Sequence, residues 1–293
     1  MSELRMIHWL FESDVFPDYS DAFVSAVRES GSKVTVLSAI KPGFSFEDAG
    51  QPDPRLASRE ECVIFHGCIG LAERILSETD WVPGFYGNFE RLMCSSYFPA
   101  FGEFLLNSQY TMLPFREVRR LKDHLFDSLG RDGQFFMRPN SPKKLFAGML
   151  IRRDHFEKDY ELAAFYDVPD HELVVVAPAQ RLQSEWRFVV VDGRVVSGSC
   201  YRNEDRSCRK TDDNPDAIRF AERVAANDWS PDLAWTIDVA LTTTGEYRLI
   251  EIGSFSYANL YACDLHAVID AVQKVAVEDW SRRSRSLTNR SPG

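Results

Sequence analysis

Two carboxylates sit inside apolar runs late in the sequence, and that placement restricts the fold more than any other feature. Asp238 lies within Trp235-Thr236-Ile237-Asp238-Val239-Ala240, and Glu251 within Leu249-Ile250-Glu251-Ile252. Each run is short and apolar, as expected of a buried strand. A turn at residues 243–245 joins them, so antiparallel pairing brings the two acids onto neighbouring strands. Two buried carboxylates repel, and burial alone keeps one of them protonated. A divalent cation removes that conflict. Two carboxylates with phosphate and water are the oxygen donors that Mg²⁺ prefers. Asp238 and Glu251 are therefore the candidate metal ligands.

Two further segments carry chemistry. Phe135-Phe136-Met137-Arg138-Pro139 is an apolar strand ending in a cation, and Asn140-Ser141-Pro142-Lys143-Lys144 follows as a loop with two more. Clustered cations repel unless an anion neutralises them, which a polyphosphate does. A water-solvated basic loop is the alternative reading. Glu185-Trp186-Arg187 opens a hairpin, and residues 185 and 187 share one face because the strand period is two. They either pair with each other or face a common ligand. Taken together, the three segments describe one site, in which cations hold phosphates, carboxylates hold Mg²⁺ and an apolar strand seats a flat base. That is an ATP site without a phosphate-binding glycine loop.

The sequence has no GxxxxGK[ST], no GxGxxG after a strand, no GxSxG and no HExxH. Its six histidines are scattered, and only His66, at a strand end before Gly67, draws notice. The 293 residues suggest about two domains. A composition 44% hydrophobic and 27% charged excludes a largely disordered chain. A net charge of −10 argues against general nucleic-acid binding. No apolar run approaches the roughly 20 residues of a membrane helix, so no membrane association is expected. The opening MSELRMIHWLFESD reads as a strand, not a signal peptide. Six cysteines without CxxC spacing suggest reduced thiols and a cytoplasmic location.

Strand signals at residues 6–11, 33–39 and 62–65 alternate with helical ones at 20–30 and 71–77, which predicts a parallel α/β unit. Residues 81–110 are rich in aromatics, glycine and proline and show no clean period. Their expected role is to shape a substrate pocket. Residues 115–129 read as one helix. From there the pattern is strand-rich, with strands at 134–138, 146–151, 173–177, 185–191, 194–201, 235–241 and 247–252. Asp192-Gly193 between two β-branched runs is the strongest hairpin signal. Helices are expected at 154–166, 215–227 and 265–280, followed by a solvated tail at 281–293.

From about residue 134 to 272, this order resembles the ATP-grasp superfamily. It is most similar to a clade of small bacterial and phage members in which arginine replaces the usual strand lysine. FMRPNSPKKLFAGMLI resembles the phosphate-binding strand and loop. VVVAPAQRLQSEWRFVVVDGRVVSGSCY resembles the adenine hinge followed by the E-x-R strand and its hairpin. WTIDVALTTTGEYRLIEIGSFSYANLYACD resembles the two metal-carrying strands and the loop after them. The resemblance implies an α/β fold, α+β in its C-terminal half. An N-terminal parallel α/β domain at 1–130 would precede an ATP-grasp nucleotide-binding domain at 131–280, with a flexible tail at 281–293.

The resemblance also implies roles. Arg138 would take the strand-lysine place against the α- and β-phosphates, and Lys144, or Lys143, would reach phosphate from the loop. Backbone atoms around Val176, Ala177 and Ala179 would meet the adenine edge, and Ile250 would pack on the base. Glu185 and Arg187 would face the nucleotide or acyl phosphate, and Asp238 and Glu251 would hold Mg²⁺. Arg138, Lys144 and Arg187 are the expected catalytic residues. In one place the sequence departs from the superfamily, whose last strand usually carries E-x-N with the asparagine as a further metal ligand. Here it reads Glu251-Ile252-Gly253, and glycine has no side-chain oxygen. Ser254, Asn259 or water would have to compensate. The implied reaction is ATP- and Mg²⁺-dependent joining of a carboxylate to an amine on a small-molecule, amino-acid or peptide substrate. A catalytically degenerate ATP-binding module and an ATP-dependent phosphotransferase are the alternatives.

Overall fold

The computed structural model describes residues 7–37, 60–165, 167–203, 206–211 and 214–288. Strands β1 (Ile7–Glu12), β2 (Lys33–Leu37), β3 (Cys62–His66) and β4 (Val82–Gly84) form a parallel sheet of order β2-β1-β3-β4. Every residue of β1 and β3 is buried, which explains their nearly unbroken apolar runs. Helix α1 (Ser20–Glu29) follows β1 and α2 (Ile69–Glu78) follows β3, as parallel connections require.

Two antiparallel sheets make up the rest. The smaller contains β5 (Thr111–Pro114), β6 (Gln134–Pro139), β7 (Met149–Arg152) and β8 (Leu173–Pro178), in the order β5-β8-β6-β7. The larger contains β9 (Leu182–Val191), β10 (Arg194–Asn203), β11 (Arg206–Thr211), β12 (Ala234–Thr242) and β13 (Tyr247–Ser254), in the order β11-β10-β9-β12-β13. Asp192 (φ 50°) and Gly193 (φ 71°) turn the β9–β10 hairpin with both residues left-handed, as a two-residue primed turn demands.

The larger sheet is buried on both faces by different partners. Trp186, Phe188, Val190, Trp235 and Ile237 pack on α3 (Cys94–Phe101) and α7 (Pro215–Ala225). On the opposite face Val189, Val191 and Ala234 join Ile7, Trp9 and Phe11 of the parallel sheet and Val268, Ile269 and Val272 of α8 (Leu265–Thr288). The smaller sheet closes over its own core with α4 (Phe115–Arg120), α5 (Lys122–Leu129) and α6 (Phe156–Ala164).

These cores divide the chain differently from the expected boundary at residue 130. Residues of β5, α4 and α5 belong to the small sheet's core, while α8 returns to the parallel sheet. The mixed architecture expected from the sequence is present, as a parallel α/β unit followed by two antiparallel sheets.

Several elements differ from the expectation. The helix at 115–129 is two helices, broken at Leu121 (φ −102°, ψ 10°). The strand expected at 146–151 starts only at Met149, because the Phe146 ring is drawn into the small sheet's core 6.1 Å from Phe115. Helix α8 continues through Thr288, so residues 281–288 extend the C-terminal helix where an irregular tail was expected. Residues 289–293 of that tail and 38–39 of the second expected strand lie outside the described residues.

Candidate functional site

The strand β6 alternates strictly. Phe135, Met137 and Pro139 are buried, while Phe136 and Arg138 face a cleft of about 870 Å³ that also touches the larger sheet. Met149 and Leu150 of β7 extend the same wall. Leu182 and Glu185 of β9 and Ile250 of β13 line the other side. The walls thus mix apolar side chains and one aromatic ring with polar groups, and Arg138, Arg181, Glu185 and Arg202 bring charge to them.

The connection between the two sheets forms the cleft's end. Gln180, Arg181 and Gln183 line it, whereas Val176, Ala177 and Ala179 do not. Val176 lies between Thr111 of β5 and Met137 of β6, with a strand on either side. Ala177 and Pro178 have a ladder partner only on the β6 side, because β5 has ended. Free backbone edge therefore begins at Ala177.

Arg138 also borders a second, narrower cleft shared with Lys144, Arg187, Thr236, Glu251 and Gly253. Asp238 is paired directly with Glu251 on one side and with Arg187 on the other. The β12–β13 register shifts immediately after Asp238, a bulge of the kind that re-aims side chains at functional sites. Arg187 donates to both Asp238 oxygens, Nε to Oδ1 at 2.7 Å and Nη2 to Oδ2 at 2.6 Å. Its Nη1 donates to the Asn259 carbonyl at 3.1 Å. The rings of Tyr261 and Tyr201, stacked on each other, lie against the guanidinium with centroids 5.3 and 5.9 Å from it. Arg138 Nη2 lies 2.8 Å from Glu251 Oε2.

These pairs correct the electrostatic premise drawn from the sequence. Asp238 is buried and Glu251 only partly so, and Arg187 and Arg138 neutralise them, so burial alone does not demand a metal. Glu185 and Arg187 share a face but do not pair with each other. Glu185 instead accepts from the Tyr201 hydroxyl at 2.8 Å and from Arg202 at 2.7 Å. Burial pushes the Asp238 carboxyl above its usual range, against the pull of Arg187. Burial pushes Glu251 the same way, but Arg138, Lys144 and Arg187 together hold it below the usual range. The pair is thereby split, with Glu251, on the cleft wall, the more strongly ionised.

The two loop lysines separate. Lys143 Nζ reaches Glu73 of α2 at 2.5 Å and lies over the Phe89 ring, away from the cleft. Lys144 lines the narrow cleft from a left-handed backbone (φ 52°). Of the segment at residues 81–110, Leu106 and Asn107 reach the large cleft. Earlier in that segment, the N–H groups of Cys94 and Ser95 donate to the Asn140 backbone and side chain, tying α3 to the end of β6.

Sequence reasoning passed over Phe136, Arg202 and Thr236. Phe136 carried a usable signal, since it lies two residues before Arg138 on the same strand face. Thr236 carried the same signal, two residues before Asp238, whereas the position of Arg202 depends on cross-strand register, which the sequence does not display.

As a fit for Mg²⁺, the site supplies two adjacent carboxylates and no third acid. Among the described residues no cluster of three or more His, Cys, Asp or Glu can hold a metal. Two carboxylates completed by phosphate oxygens and water is nonetheless the pattern in which Mg²⁺ is bound together with a nucleotide. The donor set fits the ion with nucleotide and not alone.

Comparisons with known proteins bear on the family and the fold. A family model described as an ATP-grasp domain matches residues 116–271, more than half of the chain. Among solved structures, the chain is similar to the D-cycloserine synthetase DcsG (14% identity, TM-score 0.59, covering 92% of this chain and 99% of that one). It is similar to the D-alanine–D-alanine ligase from Coxiella burnetii (11% identity, TM-score 0.60, covering 97% and 98%). A third is the N5-carboxyaminoimidazole synthetase from Staphylococcus aureus complexed with ADP (13% identity, TM-score 0.58, covering 93% and 79%). No curated protein matches by sequence.

Proposed function

The chain belongs to the ATP-grasp superfamily, and from that premise we propose that it is an ATP-dependent ligase joining a carboxylate to an amine. The observation that carries the reading is that Arg138 borders both clefts. A cleft large enough for a nucleoside, with Phe136, Met149, Leu182 and Ile250 on its walls, adjoins at Arg138 a pocket lined by Arg138, Lys144, Arg187 and Glu251, with Asp238 bound to Arg187 beside it. The base would lie between Phe136 and Ile250, with its edge toward the backbone that becomes free at Ala177. Arg138 and Lys144 would hold phosphate oxygens.

Mg²⁺, when bound with the nucleotide, would neutralise phosphate charge from Asp238 and Glu251. Arg187 would counter negative charge gathering on the transferred phosphoryl group and on the acyl phosphate. For Arg138, nucleotide binding exchanges a carboxylate partner for a phosphate one, so the site stays neutralised in both states. The solved neighbours named above are synthetases and ligases, which supports this reaction class. PsnB, a further neighbour, is an ATP-grasp ligase complexed with a minimal precursor, so a peptide acceptor is as consistent as an amino acid. No helix among the described residues is long and apolar enough to cross a membrane. Six cysteines without CxxC spacing suit a reducing compartment such as the cytoplasm.

A second reading is favoured by Gly253, where the superfamily's usual asparagine is missing. On that reading the chain binds ATP without turning it over. Calorimetric titration of ATP with Mg²⁺ tests both. Wild type should bind, and Asp238→Asn/Glu251→Gln should not. ADP release in a screen of amino acids and peptides supports the ligase, and its absence with binding intact supports the second reading. A folded wild type that does not bind ATP overturns both.

A further inference from the structure

We infer that Thr236 supplies the oxygen donor missing at Gly253, completing the Mg²⁺–nucleotide site with a hydroxyl; this rests on the ATP reading above. Thr236 and Gly253 are directly paired across β12 and β13. Thr236 is two residues from Asp238, and Gly253 two from Glu251. All four positions therefore face the same side of the sheet. A Cβ placed on Gly253 would fall 2.7 Å from Thr236 Oγ1, closer than real Cβ contacts. The threonine hydroxyl thus occupies the space in which a side chain at 253 would begin. Glycine at 253 and threonine at 236 form one unit, because each residue's size depends on the other's.

The hydroxyl is placed to act. Thr236 is 1% exposed overall but lines the narrow cleft with Arg138, Lys144 and Glu251. No hydrogen bond engages its hydroxyl among the described residues. Its β-branched side chain has few rotamers in a strand, so the oxygen is held in place at little entropic cost. A threonine hydroxyl is a hard oxygen donor of the kind that completes Mg²⁺ shells in other nucleotide sites.

The alternative oxygens are committed elsewhere. Ser254 Oγ donates to the Tyr86 carbonyl at 2.5 Å and accepts from the Tyr257 N–H at 3.3 Å. Asn259 Oδ1 accepts from the Tyr261 N–H at 2.7 Å, and its carbonyl accepts from Arg187.

The test is calorimetric affinity for a non-hydrolysable ATP analogue, measured with Mg²⁺ and again with EDTA. The ratio of the two affinities reads the metal's contribution without requiring turnover. Thr236→Val, which exchanges the hydroxyl for a methyl of the same shape, should lower that ratio by about tenfold or more. Its affinity in EDTA should not change. Thr236→Ser should keep the ratio. Gly253→Asn should lose affinity through collision with Thr236, and Thr236→Ala/Gly253→Asn should recover the metal enhancement by moving the donor across the strand pair. An unchanged ratio in a folded Thr236→Val overturns the role of Thr236 and leaves the ATP reading standing. Wild type that fails to bind the analogue overturns both.

Discussion

Arg187 holds Asp238 through two parallel hydrogen bonds, at 2.7 and 2.6 Å, from directly paired positions on β9 and β12. Both side chains are more than nine-tenths buried. Removing one member of such a pair strands the other charge. Arg187→Met should therefore destabilise the fold by roughly 3–5 kcal/mol, whereas Arg187→Met/Asp238→Leu should recover much of the loss. Urea unfolding of both variants checks this. Equal losses in the single and double variants would show that packing of the long arginine stem, not charge pairing, accounts for the effect.

Gly148 keeps Phe136 on the wall of the large cleft. A Cβ at Gly148 would fall 2.6 Å from Phe136 Cζ, the far end of a side chain that can swing away. Gly148→Ala should push the ring out of position while leaving the fold intact or slightly stabilised, by up to about 1 kcal/mol from the stiffer unfolded chain. Stacking on an aromatic is worth about 1–3 kcal/mol per base, so ATP affinity should fall by about tenfold. Calorimetry together with thermal unfolding separates the two effects. Full affinity in Gly148→Ala would move the base away from Phe136.

His66 predicts how the fold responds to acid. It is fully buried among Phe11, Phe16, Phe23 and Phe255, with ring centroids 6.0, 4.6, 5.2 and 5.2 Å away. Burial lowers its pKa to about 3. Below the unfolded value of about 6.5 the unfolded chain takes up a proton and the native chain does not, so stability falls with pH from there down to about 3. The loss from this one group reaches roughly 2 kcal/mol by pH 5. Urea unfolding at pH 8 and pH 5 should show it in wild type, and His66→Phe should lose less between the two pH values. Parallel losses in the two proteins would place the acid sensitivity elsewhere.

Much of this molecule can be read from its sequence because the strands that carry the site are buried apolar runs. β8, β9, β10, β12 and β13 declare themselves by composition, and Asp192-Gly193 fixes one hairpin. The edge strands β4, β5 and β11 do not. β11 reads Arg-Ser-Cys-Arg-Lys-Thr, a charged edge whose partner supplies most of its reason to extend. The site was legible as residue types and not as pairs. Same-face spacing left Glu185 and Arg187 free to answer each other. Register instead gave Arg187 to Asp238 and set Glu185 against Arg202, and a one-residue slip would have changed both partners. Arg138 as the partner of Glu251 is a contact between the two antiparallel sheets, which no local pattern encodes.

Lys144 offers the sharpest separation of binding from stability. Its backbone is left-handed at φ 52°, a conformation that costs a non-glycine residue about 1 kcal/mol or more. Its side chain is exposed on the narrow cleft, and its charge acts on both Asp238 and Glu251. Glycine adopts that backbone freely but loses more entropy on folding, so the two effects oppose each other in Lys144→Gly. Stability should stay within about 1 kcal/mol of wild type. Affinity for ATP with Mg²⁺ should fall by about tenfold, the loss expected when one charge-assisted contact to phosphate disappears. Lys144→Ala separates the causes further, because it loses the same charge while keeping the strained backbone. It should match the glycine variant in affinity and fall below it in stability. If both variants bind ATP as wild type does, Lys144 makes no contact with phosphate, and the strain at this position serves the loop alone.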